Sequence, residues 1–332
     1  MPTADLLDFD SLIAPIPGDN PAGSNLDYEL RRKLDEYRTE FDPAQYGEGS
    51  PEREQPKREA NWGGVIEQTK SMLSKKSKHI LYAARLTEAL TMVHSFGGVR
   101  DGIKLLRRMF AECWDRMMPP IEEPGDEAAR VAQINWLGDP TSGAFYPTKI
   151  RKLAMFSSGG TALSWQSWKD GQGDFESAAD AAPTERCQLL VDDITAAIEE
   201  LRSFDTVAQE KVPTEGPELG EVSRSLNDCL VLARQALARK QGMDTGLPMG
   251  EEGAPGAAPG ATGGAATVAN RESVYREIDR LAGLLERLEP HSPVPMLLRR
   301  AIRLGPLKFH ELVAELTKDE KVIDFLKAPA EE

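Results

Sequence analysis

Apolar residues recur at helical spacing through most of the chain, and they predict a protein built from α-helices. Between residues 26 and 137 the pattern predicts five helices, separated by short stretches rich in Gly, Pro or charged residues. Short connections favour antiparallel neighbours, as in a helical bundle. No stretch shows the convincing alternation of apolar and polar residues that is typical of a half-exposed sheet. The pattern therefore predicts an all-α fold that begins with an N-terminal antiparallel bundle.

Glycines, prolines and charges mark the ends of these predicted helices. The third helix is expected to stop at the glycine pair 97–98, and the fourth at the proline pair 119–120. Residues 42–60 are charged and rich in Gly and Pro, which predicts a mobile loop. Residues 151–156 are a candidate for a brief extended piece.

The second half of the chain begins with two longer predicted helices, one starting at Pro183 and one over about 217–240, which form a hairpin. Gly, Ala and Pro then occupy 17 of the 24 positions from 246 to 269, a composition typical of a flexible linker. The sequence therefore predicts four parts: an N-terminal helical domain over 1–160, a middle helical hairpin over 161–242, a flexible linker over 243–269, and a small C-terminal helical domain over 270–332.

The most sharply defined stretch is a helix–corner–helix between residues 289 and 305. Pro290 ends the first helix, because it has no N–H to donate and its ring crowds the preceding turn. Ser292 followed by Pro293 is typical of an N-cap and the first position of a new helix. Gly305 and Pro306 then end that helix.

The second helix of this corner carries the predicted functional surface. A domain of about 60 residues is marginal as an independent fold, which favours a self-assembly module over a bundle that binds nothing. A basic edge beside an apolar stripe suits contacts between subunits or with an acidic partner, although a solvated face explains the arginines as well. The predicted oligomerisation or partner interface consists of Val294, Leu297, Leu298, Arg299, Arg300, Ile302 and Arg303.

The composition of the chain argues against several classes of function. The net charge is −14, with 54 acidic against 40 basic residues, which argues against a nucleic-acid surface. No apolar run approaches the ~20 residues that span a bilayer, and the N-terminus lacks the features of a signal peptide. Three scattered cysteines suit a reducing compartment without structural disulfides. We therefore expect a soluble cytoplasmic protein with no membrane span and no nucleic-acid partner.

The sequence offers no strong catalytic or metal-binding pattern. None of the four histidines lies in an HExxH or HxxxH arrangement, and no cysteine is close enough to a histidine to resemble a zinc site. Glu289 and His291 could form an acid–base or ligand pair, but the flanking prolines favour a structural corner. We therefore predict no catalytic, cofactor-binding or metal residue and no cofactor. The alternatives are a cytoplasmic helical enzyme that uses Glu289 and His291, or an unrelated helical scaffold.

The five tryptophans are predicted to serve two purposes. Trp62, Trp114 and Trp136 occupy helical positions and are expected in the core. Trp165 and Trp168 lie in a polar, Gly-rich stretch, where either one is expected to anchor the hairpin or to meet a partner.

Both halves of the chain resemble the TssA family of the bacterial type VI secretion system. Residues 289–301 resemble its C-terminal signature, EPHSPVPxLLxRA, and the first half resembles its ImpA-type N-terminal domain. The matching N-terminal pieces are the PIPGDNPAG lead-in at 15–23, Trp62 with Val65, Ser77-Lys78-His79, Leu86-Thr87-Glu88-Ala89, Gly97-Gly98 with Gly102, Trp114-Asp115 with Pro119, and Arg130 through Asn135-Trp136-Leu137.

The resemblance implies a non-catalytic assembly protein. It implies a homo-oligomeric ring of six-fold character, formed through the C-terminal region, with baseplate subunits, the Hcp tube and sheath components as partners. The short tail resembles the baseplate-associated short form. The resemblance to the TssA family also implies a cytoplasmic protein associated with the secretion apparatus at the inner membrane.

Overall fold

A computed structural model describes residues 1–141, 144–242, 278–280, 282–283, 286 and 293–304. The chain forms two compact units, Met1–Met249 and Gly250–Glu332. The described part is mainly helical, which confirms the predicted all-α class. The linker over 243–269 and the corner residues Glu289 to Ser292 lie outside the described residues, as do Gly305 and Pro306.

Helices account for almost all regular structure in the first unit. In chain order they are α1 (Phe9–Ile13), α2 (Tyr28–Arg38), α3 (Trp62–Lys75), α4 (Ile80–Glu112), α5 (Glu127–Asn135), α6 (Tyr146–Arg151), α7 (Trp165–Lys169), α8 (Phe175–Ala181), α9 (Thr184–Lys211) and α10 (Gly220–Lys240), with short 3-10 turns at Pro43–Gln45, Pro51–Glu54 and Trp114–Arg116. In the second unit, α11 covers Val294–Leu304.

The long helix α4 lies at the centre of the first unit. It packs against α3 and, over the most extensive helix interface, against α9, which in turn packs on α10. One contact across this interface is the edge-to-face pair of Phe110 and Phe204, whose ring centroids are 5.1 Å apart. Both rings are buried, so α4 and α9 share one continuous core.

The centre of α4 is a sharp corner, not a straight helix. Ser95 has φ 55° and ψ −137°, a left-handed conformation that is uncommon for any residue but glycine. A side chain at Gly98 would overlap the Leu90 carbonyl. A Cβ at Gly102 would lie 2.5 Å from Thr87 Cγ2 and 2.7 Å from Thr87 Cα. The second half of α4 therefore folds back along the first half at a distance that only glycine permits.

This corner corrects the predicted boundary between the third and fourth helices. The break lies at Ser95, and the glycine pair at 97–98 belongs to the next helix. Glycine is needed there for close packing against Leu90, not for ending a helix. Sequence patterns do not separate these two uses of glycine.

A small β-hairpin, Phe156–Ser158 (β1) paired antiparallel with Thr161–Leu163 (β2), corrects the expectation that no sheet is present. Gly159 and Gly160 connect the strands with φ values of 57° and 84°. Two consecutive positive φ values are what a tight two-residue turn of type I′ requires. The glycine pair was the available sequence signal for this hairpin.

The segment predicted as a mobile loop is closed at its base. The backbones of Phe41 and Arg58 exchange two hydrogen bonds, each 2.8 Å long. Between them lie the two 3-10 turns at Pro43–Gln45 and Pro51–Glu54. The segment is therefore a closed surface loop of the Ω type.

The predicted middle hairpin is present as α9 and α10, and it shares a compact unit with the preceding helices. Arg151 of α6 illustrates the contact, since it donates a 2.8 Å hydrogen bond to Asp228 of α10. The domain boundary at residue 160 stays a prediction, because the packing shows only that the helices on its two sides meet in one core.

The tryptophans occupy the margin of this core. Trp62, Trp114, Trp136, Trp165 and Trp168 are all partly buried and packed against it. Trp165 lies 5.4 Å from the guanidinium of Arg151, and Trp168 lies 6.4 Å from the ring of Phe175. The last two therefore pack against α6 and α8, and their expected role in anchoring the hairpin or meeting a partner stays a prediction.

The close approach at the corner of α4 predicts that alanine substitutions at two glycines have different effects on stability. Gly102→Ala should destabilise the first unit by about 1–3 kcal/mol, because the new methyl group overpacks against Thr87. Gly63→Ala, on the exposed first turn of α3, should be neutral or stabilising by up to about 1 kcal/mol, since glycine is a poor helix former. Urea unfolding of both variants measures the difference, and equal stabilities would contradict the close approach at residue 102.

Candidate functional site

The seven predicted interface residues all lie on α11 in the second unit. The helix is in place by its first turn, where the amide of Leu297 donates a 3.1 Å hydrogen bond to the carbonyl of Pro293. Pro295 fits this turn because a first-turn N–H has no partner within the helix. The helix therefore covers the segment in which apolar residues recur at helical spacing in the sequence.

The apolar face of α11 divides into a covered strip and an exposed strip. Leu298 and Ile302 are half-buried, and Pro295 beside them is buried. Leu297 is 53% exposed and Val294 is 42% exposed, and Ala301 follows on the same side at helical spacing. The described structure thus leaves an apolar strip open to solvent on a helix whose neighbouring strip is already covered.

The three arginines of the predicted interface do not act together. The Arg299 side chain donates a 2.7 Å hydrogen bond to Glu286 and lies 3.6 Å from Asp279, both on the preceding helical segment. This contact lowers the pKa of the Glu286 carboxyl. Arg300 and Arg303 are exposed and form no ion pair with any described residue. Arg299 therefore forms its contacts within its own unit.

His79 and the three cysteines of the first unit are buried in its core. His79 is buried, and its Nδ1 accepts a 3.2 Å hydrogen bond from the Leu81 amide at the start of α4. Burial, assisted by Arg31, lowers the pKa of His79 to about 4. The three cysteines are buried free thiols, and burial raises the pKa of Cys229 to about 12. A neutral capping imidazole and protonated thiols are not arranged for nucleophilic chemistry.

No group of three or more His, Cys, Asp or Glu side chains is arranged to hold a metal ion within the described ranges. Nor is any described helix long and apolar enough to cross a membrane. Glu289 and His291, the residues of the alternative enzyme hypothesis, lie outside the described residues.

Several residues of the N-terminal motifs hold the fold together through buried charge. Lys78 is fully buried and donates to the backbone carbonyls of Leu12, at 2.5 Å, and Leu73. Burial lowers its pKa to about 8. The ammonium thus ties α1 to the end of α3, a role that no sequence pattern assigns to this lysine.

Glu88 forms a second buried centre. Its carboxylate is fully buried and accepts hydrogen bonds from Arg38 of α2 and, at 2.7 Å, from Lys149 of α6. Three helices therefore meet at one carboxylate. Removing such a partner would leave charges buried and unpaired, which is strongly destabilising.

Comparison with known proteins places these features in context. The family described as "ImpA, N-terminal, type VI secretion system" matches residues 13–139. The type VI secretion system component TssA1 of Pseudomonas aeruginosa is 28% identical over 347 residues, which cover 95% of this chain and 96% of that protein. A solved N-terminal domain that includes the conserved ImpA_N region of TssA from Burkholderia cenocepacia superposes with a TM-score of 0.57 at 19% identity. It covers 74% of this chain and 99% of the solved one.

The burial of His79 predicts that the stability of the folded chain depends on pH. Because the pKa of His79 is about 4 in the folded chain against 6.5 when exposed, the unfolded chain binds more protons between these values. Stability should therefore fall as pH falls through this window, with His79 contributing a loss of about 2 kcal/mol between pH 7 and pH 5.

Urea unfolding at the two pH values measures this loss. His79→Asn, which keeps a capping oxygen without the titrating ring, should show a smaller loss than the parent chain. His94→Asn, at an exposed position on the same helix, serves as the control and should retain the full loss. Identical pH dependence in the His79 variant would show that this imidazole is not the group responsible.

Proposed function

We propose that the chain is a TssA-like component of a type VI secretion system, a non-catalytic assembly protein that self-associates through its C-terminal unit. The observation that carries the proposal is the exposed strip of α11, in which Leu297 is 53% exposed beside Ala301. Apolar surface of this kind is stabilised when a second molecule removes it from water.

The exposed strip of α11 is too small to form a complete protein–protein interface by itself. A helix of 11 residues is only about 16 Å long, whereas a standard interface covers about 800 Å² on each partner. We therefore propose that α11 supplies one part of the interface and that other segments within 270–332 supply the remainder. Arg300 and Arg303 lie beside the strip and would set orientation through charge complementarity more than they would add affinity.

The geometry of assembly follows from which surfaces meet. If the α11 strip meets a different surface on the next copy, the contact is heterologous, and a heterologous contact that closes produces a ring. We propose a ring of six-fold character at the baseplate, in the cytoplasm beside the inner membrane. Baseplate subunits, the Hcp tube and sheath components are its proposed partners. The close correspondence in length with TssA1 supports a shared organisation over both units.

Light scattering on the purified chain tests self-association. We expect a large assembly for the full chain and a monomer for a chain that ends at Lys240, which keeps the compact first unit. A monomeric full chain would contradict the ring, and an assembled truncation would place the contact in the first unit.

A matched pair of variants tests the exposed strip itself. Leu297→Glu should reduce the mass of the assembly, because it places a charge where apolar surface must be buried. Met296→Glu makes the same change on the other side of α11, where the side chain is 68% exposed, and should leave the mass unchanged. Equal masses for the two variants would remove the strip from the interface.

Two alternative functions predict different results. An enzyme that uses Glu289 and His291 would bind a metal or substrate, and metal analysis of the purified chain would detect the former. An unrelated helical scaffold would fail to bind Hcp, sheath or baseplate subunits in pull-down measurements with the purified components.

A further inference from the structure

A preformed groove with both polar and apolar side chains in its lining lies on the first unit, remote in sequence from the α11 strip. Its floor consists of the partly buried side chains of Trp114, Met118 and Ile121, which follow the end of α4. Asn20 and Ala22 of the lead-in form one wall, and Glu127 and Arg130 of α5 form the other. The volume of about 520 Å³ is in the range of ligand and side-chain binding clefts.

The floor of this groove is held rigidly from below. The amide of Met118 donates a 3.1 Å hydrogen bond to the Lys78 carbonyl, and the amide of Ile80 returns a 3.0 Å bond to the Met118 carbonyl. Trp114 packs against Phe110 with ring centroids 5.1 Å apart. A partner would therefore spend little conformational entropy on ordering the groove.

The hydrogen bonds of Arg130 add to the rigidity of the groove. Its guanidinium donates to the carbonyls of Trp114 at 2.6 Å, Pro119 at 2.7 Å and Met117, and lies 4.8 Å from the Trp114 ring. The side chain is 2% exposed. This buried cation therefore holds the surrounding backbone in place.

The accessible charge at the rim is negative. Asp115 is exposed and Glu127 is half-exposed, and neither carboxylate is ion-paired with a described residue. The Glu127 carboxylate accepts a 2.8 Å hydrogen bond from the Gly125 amide. Glu122 and Glu123 are close in sequence and partly or fully exposed, with their amides donating to Asp126 at 2.9 Å. These hydrogen bonds lower the pKa of Asp126, so it remains ionised. The groove therefore combines an apolar floor with an acidic rim.

We propose that this groove binds a segment of another protein that presents apolar side chains beside lysines or arginines, such as a basic amphipathic helix. Apolar anchors fill the space over Trp114 and Ile121, and the basic residues face Asp115 and Glu127. The half-buried Met118 can adapt to anchors of different shape. The proposal does not depend on self-association through α11, so the two can fail separately.

The test uses a labelled synthetic helical peptide with leucines at positions i, i+3, i+4 and i+7 and lysines on the flanking positions, titrated against the full chain by fluorescence anisotropy. We expect saturable binding that weakens with salt. Ile121→Glu and the double variant Asp115→Lys/Glu127→Lys should each weaken binding at least about tenfold, because each removes one half of the complementarity.

The controls separate groove binding from general attraction to an acidic protein. The double variant Glu67→Lys/Glu185→Lys makes the same change in net charge at exposed positions on α3 and α9, and it should bind the peptide as the parent chain does. A peptide with glutamates in place of the lysines should bind the Asp115→Lys/Glu127→Lys variant better than it binds the parent chain.

Three results would overturn the proposal. The first is an absence of saturable binding, and the second is equal weakening by the groove and control variants. The third is a change in the light-scattering mass of the groove variants, which would show that a second copy of the chain covers this surface. Circular dichroism confirms that each variant retains its helices.

Discussion

The first unit depends on the close contact between the two halves of α4. At Gly98 and Gly102 the second half approaches the backbone of the first at distances that exclude any side chain. Ser95 turns the chain sharply enough for this to occur. Because the two halves lie side by side, α4 can present one surface to α3 and another to α9, and the remaining helices pack around that pair. A backbone constraint at a few positions thus sets the arrangement of the whole core.

Buried charges and half-buried tryptophans complete the core at its margins. Lys149 lies 5.0 Å from the Trp62 ring, Arg130 lies 4.8 Å from Trp114, and Arg85 lies 4.3 Å from Trp136. Each cation covers the outer face of a ring whose inner face packs on apolar side chains. Lys78 and Glu88 add directional contacts that apolar packing lacks. Such groups stabilise one arrangement of helices over competing ones, since any alternative would leave them unpaired.

The two surfaces that we propose as binding sites are each stabilised by an arginine. In the second unit, Arg299 pairs within the unit and leaves Leu297 exposed on a neighbouring side of α11. In the first unit, Arg130 fixes the backbone beside the groove, and carboxylates lie at its rim. In both places an arginine stabilises the proposed surface through contacts within its own unit.

The sequence alone determined the helical class, most helix positions and the stripe of α11, because apolar periodicity reports directly which side of a helix is buried. Local turn chemistry was also available in principle, as Gly159 and Gly160 show. Tertiary structure decided the rest. Whether glycine ends a helix or permits close packing depends on Leu90 and Thr87, which contact it from another part of the chain. Whether Arg299 or Arg300 is free depends on which carboxylates lie nearby in space. These are distances between residues far apart in the sequence, and periodicity carries no information about them.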